Sequence, residues 1–114
     1  MQYALLIHEH PGVYDSLSEE EAQAVTAEYI AIRQDPRIVG AGRLSPADTA
    51  TTVRANGGGT LVTDGPFADT KDVFGGYFLF EADDIDAAIE LAGRLPVLRF
   101  GGAVEIRTVL VPPA

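Results

Sequence analysis

The chain contains no cysteine. That excludes a disulfide framework, thiolate metal ligands and a thiol nucleophile, and leaves no mark of an oxidising compartment. Basic residues are scarce as well: eight Lys and Arg stand against seventeen Asp and Glu, for a formal charge of −9. A surface this negative repels phosphate backbones, so direct nucleic-acid binding is not expected. No apolar run approaches the length of a membrane span, and the N-terminal MQYALLIHEH lacks the basic start of a signal peptide. The expectation is a cytoplasmic protein with no membrane partner. Internal repeats, low-complexity tracts and long linkers are missing too, so residues 1–114 read as a single domain. What is present is a globular composition, 46% hydrophobic with regularly spaced apolar clusters, which is incompatible with a disordered chain.

QYALLIH (Gln2 to His8) is short and apolar on both alternating faces, as in a strand covered on two sides. Ser18-Glu19-Glu20-Glu21 is a capping-box pattern. It opens a helix over 19–34 that carries Ala22, Val25, Tyr29 and Ile32 on one stripe and stops before Pro36. IVGAGRL (Ile38 to Leu44) predicts a second strand in which Gly40 and Gly42 mark a bulge or a close approach. Ala50 to Arg54 and Thr60 to Thr63 flank Asn56-Gly57-Gly58-Gly59 and predict a hairpin. GYFLFE (Gly76 to Glu81) is again apolar on both faces. A helix capped by Asp83 or Asp84 runs from Ile85 to the stop at Gly93 to Pro96, and Ala103 to Val109 alternates like an edge strand.

The order is β-α-β-(hairpin)-β-α-β. The fold class is therefore α+β, a ferredoxin-like split βαβ sheet with an inserted β-hairpin, its first and third main strands central. Two helices cover only one face of such a sheet. The other face, largely apolar, needs a partner, and a second copy related by a two-fold axis supplies one: a homodimer.

TDGPFADTK followed by GGYFLFEADDIDAAIELAGRLP, with GAGRLSPADTATTVR upstream and VEIRTVL at the close, resembles the YCII-related proteins, in the subgroup named for its Asp-Gly-Pro-Phe motif. The resemblance implies a dimeric α+β barrel of ferredoxin-like subunits and a bacterial source. It also implies a superfamily that includes muconolactone isomerases and cofactor-free monooxygenases, and gene neighbourhoods shared with alternative sigma factors. In the YCII proteins proper an active site is proposed around a histidine on the first helix paired with an aspartate. The helix EEEAQAVTAEYIAIRQ has no histidine, so that pair does not carry over.

Two readings of Asp64-Gly65-Pro66-Phe67 are open. As a turn, Asp64 accepts from the amides that follow it, Pro66 fixes its own φ, and Phe67 anchors the loop in apolar surface. As chemistry, Asp64 closes a strand and faces the space the sheet encloses, where Lys71 and Arg54 can modulate a general base. His8 is a second acid/base candidate because its ordinary titration lies near neutrality. His8 and His10 have the spacing to share a strand face. With no further histidine and no cysteine to complete a site, no metal is expected. Arg43 and Arg54 either hold a substrate carboxylate or phosphate or form salt bridges. The expected function is small-molecule binding or cofactor-free acid/base catalysis. Its catalytic residues are Asp64 and His8, with Arg54, Arg43, Lys71 and Phe67 around the ligand. The alternative is a regulatory protein acting beside a sigma factor.

Overall fold

A computed structural model describes residues 1–110. The elements are β1 (Gln2–Glu9), α1 (Glu19–Arg33), β2 (Ile38–Arg43), β3 (Thr51–Asn56), β4 (Gly59–Asp64), β5 (Val73–Glu81), α2 (Ile85–Ala92) and β6 (Ala103–Thr108). Single 3₁₀ turns lie at Ala47–Thr49 and Pro96–Phe100. The main sheet has the order β2-β5-β1-β6, with every neighbouring pair antiparallel, and β3 and β4 form a separate two-stranded sheet. The two doubly apolar strands are thus the central ones and the alternating β6 is an edge, as the sequence pattern requires.

Both helix starts follow their sequence signals. The Ser18 side chain accepts from the Glu21 amide at 3.1 Å and Glu21 returns a carboxylate to the Ser18 amide at 3.0 Å, which closes the capping box. Asp84, rather than Asp83, caps α2 by accepting from the Ala87 amide at 3.1 Å. α2 ends earlier than its apolar spacing suggests, and Leu95, Pro96 and Val97 reach the core from the 3₁₀ turn instead. β5 begins three residues before the expected Gly76, because Val73 and Phe74 pair with Glu9 and His8 past a register shift.

The core lies between the sheet and α2. Tyr3, Leu5 and Ile7 of β1 and Phe78 and Phe80 of β5 meet Ala88, Leu91 and Ala92 of α2, with Leu95 and Val97 closing the end. Each fully buried side chain of this size contributes roughly 1.5–3 kcal/mol. α1 behaves differently, since none of its residues is buried. Its apolar stripe is half-buried, and Tyr29 and Ile32 touch the core while the rest of the helix stands off the sheet. On the opposite sheet face Leu79 and Tyr77 lie across Gly40 and Gly42, the close approach expected there. That face, which also carries Ala4, Leu6 and His8, has no buried side chain and stays uncovered among the described residues. No helix is long and apolar enough to cross a membrane among the described residues.

Candidate functional site

Because α1 stands off the sheet, a cavity of about 290 Å³ lies between them, walled by Ile7, Leu17, Val25, Tyr29, Ile30 and Phe78. A broader outer basin of about 1040 Å³ lies beyond it. It is bounded by the β1–α1 loop, the β2–β3 loop and the Pro66–Thr70 segment. The two spaces share four residues: Glu9, Tyr14, Arg43 and Gly75. An apolar interior that meets solvent through a few convergent polar groups is the usual form of a small-ligand site, and the inner volume is near the lower end of the ~300–1,000 Å³ such sites span.

Glu9 owes its position to β1 and a bulge opposite it. Tyr3, Leu5, Ile7 and Glu9 alternate onto the helix-facing side of β1, so the strand delivers a carboxylate in line with three core residues. The register slips between Ile7 and His8, where Ile7 pairs with Gly76 and His8 with Phe74, leaving Gly75 as the extra residue. Bulges of this kind re-aim side chains and recur beside active sites. Here the Glu9 side chain lies directly against the Gly75 backbone, with its carboxyl carbon 2.6 Å from where a Cβ on residue 75 would sit. Only glycine leaves that space open.

Two tyrosines face the same junction. The Tyr14 ring sits edge-on to Phe100 with centroids 5.4 Å apart, and Tyr29 stacks on Phe78 at 6.4 Å. The Tyr14 hydroxyl is buried beside Tyr29 and Glu9 without a hydrogen bond of normal geometry to either. Burial foremost, with the neighbouring Tyr29 and Glu9 adding to it, pushes the Tyr14 phenol well above its ordinary value. Burial also raises Tyr29, although its contacts with Tyr14 and Val97 and the charge of Arg43 pull the other way. Tyr14 is therefore a neutral donor throughout the physiological range. Arg43, the last residue of β2, forms no ion pair among the described residues, whereas Arg37, Arg94 and Arg99 each hold a carboxylate.

Of the six residues nominated for catalysis or ligand binding, only Arg43 lines these spaces, although His10 and Pro66 also border the outer one. Asp64, His8 and Arg54 border neither. His8 lies on the uncovered sheet face, its Nε2 3.0 Å from Glu105 and its ring against Phe74 at 5.9 Å. His10, beyond the end of the strand, pairs with Asp72. No group of three or more metal-binding side chains is found among the described residues. Lys71 is exposed outside both spaces.

Asp64 ends β4 on the exposed hairpin, and its carboxylate makes no hydrogen bond among the described residues. The Asp-Gly-Pro-Phe turn is held from β3 instead. Gly65, at φ 98°, donates its amide to Ala50 O at 2.7 Å and accepts from the Thr52 hydroxyl at 2.7 Å. Arg54 donates to Phe67 O at 3.2 Å and stacks on the Phe67 ring at 4.6 Å. Phe67 is 71% exposed, so it packs under Arg54 and not into an apolar surface. The turn contributes to the outer basin through Pro66.

Sequence reasoning passed over Glu9, Tyr14 and Gly75. The signal for Glu9 is a charge in phase with Tyr3, Leu5 and Ile7 on β1.

The fold is shared with a solved structure of 5-chloro-2-hydroxyhydroquinone dehydrochlorinase (TftG) from Burkholderia phenoliruptrix AC1100 in complex with 2,5-dihydroxybenzoquinone. The match has a TM-score of 0.53 at 18% identity and covers 96% of this chain and 94% of that one. An uncharacterised protein of Rhizobium meliloti is 35% identical over 101 residues, which is 83% of this chain and 80% of the relative. The model of the YCII-related domain matches residues 1–111. On these grounds the chain belongs to the YCII-related domain family.

Proposed function

We propose that the protein binds a small molecule in the space between α1 and the sheet and performs acid/base chemistry on it at the junction of the two cavities. The observation that carries this reading is the convergence of Glu9, Tyr14 and Arg43 on the mouth of a mainly apolar space, whose wall also holds Thr26 and Arg33. Glu9 accepts a proton from the ligand and can return it at another atom. Tyr14 donates a hydrogen bond to the oxygen on which charge develops, and needs no ionisation of its own to do so. Isomerisation and hydrolysis both fit this set, which uses only side chains of the chain itself. The dehydrochlorinase of like fold supports the reading to one extent: a chain folded this way has been solved with a small cyclic compound bound. On the strength of the Asp64-Gly65-Pro66-Phe67 turn we also assign the chain to the subgroup named for that motif, and on its uncovered apolar sheet face we assign it a homodimeric state.

A fragment screen on ¹⁵N-labelled protein tests the site. Ligands are expected to move the amides of Ile7–Glu9, Ala41–Arg43 and Gly75–Phe78. Shifts confined to the β3–β4 hairpin, or a protein partner captured in place of any ligand, count against it.

A further inference from the structure

We infer that the ligand is a small organic monoanion with an apolar body, its charged group on Arg43 and its body in the inner space; this rests on reading that space as a ligand pocket. The first support is composition. The inner wall is built mainly from aliphatic and aromatic side chains, among them Ile7, Leu17, Val25 and Phe78, which favour an apolar body over a sugar or a polyphosphate.

The second is the state of Arg43. Its lack of an ion pair is not for want of acids, since the chain has seventeen carboxylate side chains against eight bases. Glu9 lines the same junction, yet the two form no ion pair, and Glu9 lies instead against Gly75. Arg43 thus presents a guanidinium, a donor fork matched to carboxylate geometry, at the mouth of an apolar space. A neutral ligand seated there leaves that charge partly desolvated without a partner.

The third is the charge count at the junction. Counting the inner wall, Arg43 and Arg33 face one carboxylate, Glu9, so a ligand with a single negative charge brings the site to neutrality. A dianion overshoots it, and a cation adds to a net positive charge. The buried, unpartnered Tyr14 hydroxyl adds one more donor for an oxygen of the ligand. Because the whole molecule is strongly acidic, any preference for an anion runs against its overall field and has to come from this local arrangement.

Benzoate and its neutral isostere benzamide, titrated separately into the ¹⁵N-labelled full chain at neutral pH, test the inference. Benzoate is expected to bind about tenfold or more tightly than benzamide, with amide shifts at Ala41–Arg43, Gly75 and Gly76. Arg43→Gln is expected to remove most of that difference, chiefly by weakening benzoate, its amide spectrum reporting that it is folded. Equal affinity for the two probes in the unmodified chain overturns the anion inference and leaves the pocket reading standing. No shift with either probe overturns both.

Discussion

The Glu9 carboxylate occupies the space that a side chain on Gly75 would need. Gly75→Ala therefore forces Glu9 out of its seat or the bulge out of shape, at a cost of about 1–3 kcal/mol. Shortening Glu9 in the same chain relieves the clash. Denaturation midpoints of Glu9→Ala, Gly75→Ala and the double variant are expected to show a coupling of at least about 1 kcal/mol, and strict additivity would show that the two residues do not compete.

The Asp-Gly-Pro-Phe turn supplies a sharper contrast. Thr52 and the Gly65 backbone hold it and the Asp64 carboxylate does not. Asp64→Ala is expected to change stability by no more than about 0.5 kcal/mol. Thr52→Val should cost about 1 kcal/mol through the lost hydroxyl bond to Gly65 O. Gly65→Ala should cost about 1–3 kcal/mol because its φ of 98° suits no other residue. A large Asp64→Ala effect in urea denaturation would restore the capping role that its position in the motif suggests.

Alkaline pH separates the tyrosines. Burial raises Tyr14 and Tyr29, so the folded state holds their protons more tightly than the unfolded chain does. Their contribution to stability is complete below about pH 10, the ordinary tyrosine value, and is lost as pH rises through the folded values. Absorbance at 295 nm should show a late-ionising component, and Tyr14→Phe should reduce it. A titration unchanged by Tyr14→Phe would mean that the junction is open to water.

The uncovered sheet face makes an oligomeric prediction. Leu6→Glu places a charge at its centre, beside Ala4 and His8 on β1. Light scattering is expected to report a dimer for the unmodified chain and a monomer for the variant. A stable monomer at micromolar concentration of the unmodified chain removes the assignment.

The two central strands, both helix caps and the hairpin were legible because each rests on local chemistry. The alternation of QYALLIH and the Ser18 to Glu21 box act within a few residues. The site was less legible, since its parts come from four segments whose meeting depends on a bulge. That bulge arises where Ile7 and His8 pair with Gly76 and Phe74, and neither strand betrays it alone. The stripe Ala22, Val25, Tyr29 and Ile32 keeps its helical period, but a half-buried stripe over a cavity and a buried stripe over a sheet share one pattern.

The β3–β4 hairpin has no buried residue, and Val53 and Val62, directly opposite each other in the ribbon, are each about 60% exposed within the subunit. A two-stranded ribbon is marginally stable by itself. The buried core lies wholly outside the ribbon, so local opening of the ribbon costs less than opening of the four-stranded body. A side chain added at Gly57 or Gly58, at the ribbon's tip, would meet open space. Its root, through Thr52 and Arg54, carries the segment that bounds the outer basin. Local opening of the ribbon would therefore loosen that wall of the basin, while the walls of the inner cavity belong to α1 and the four-stranded body.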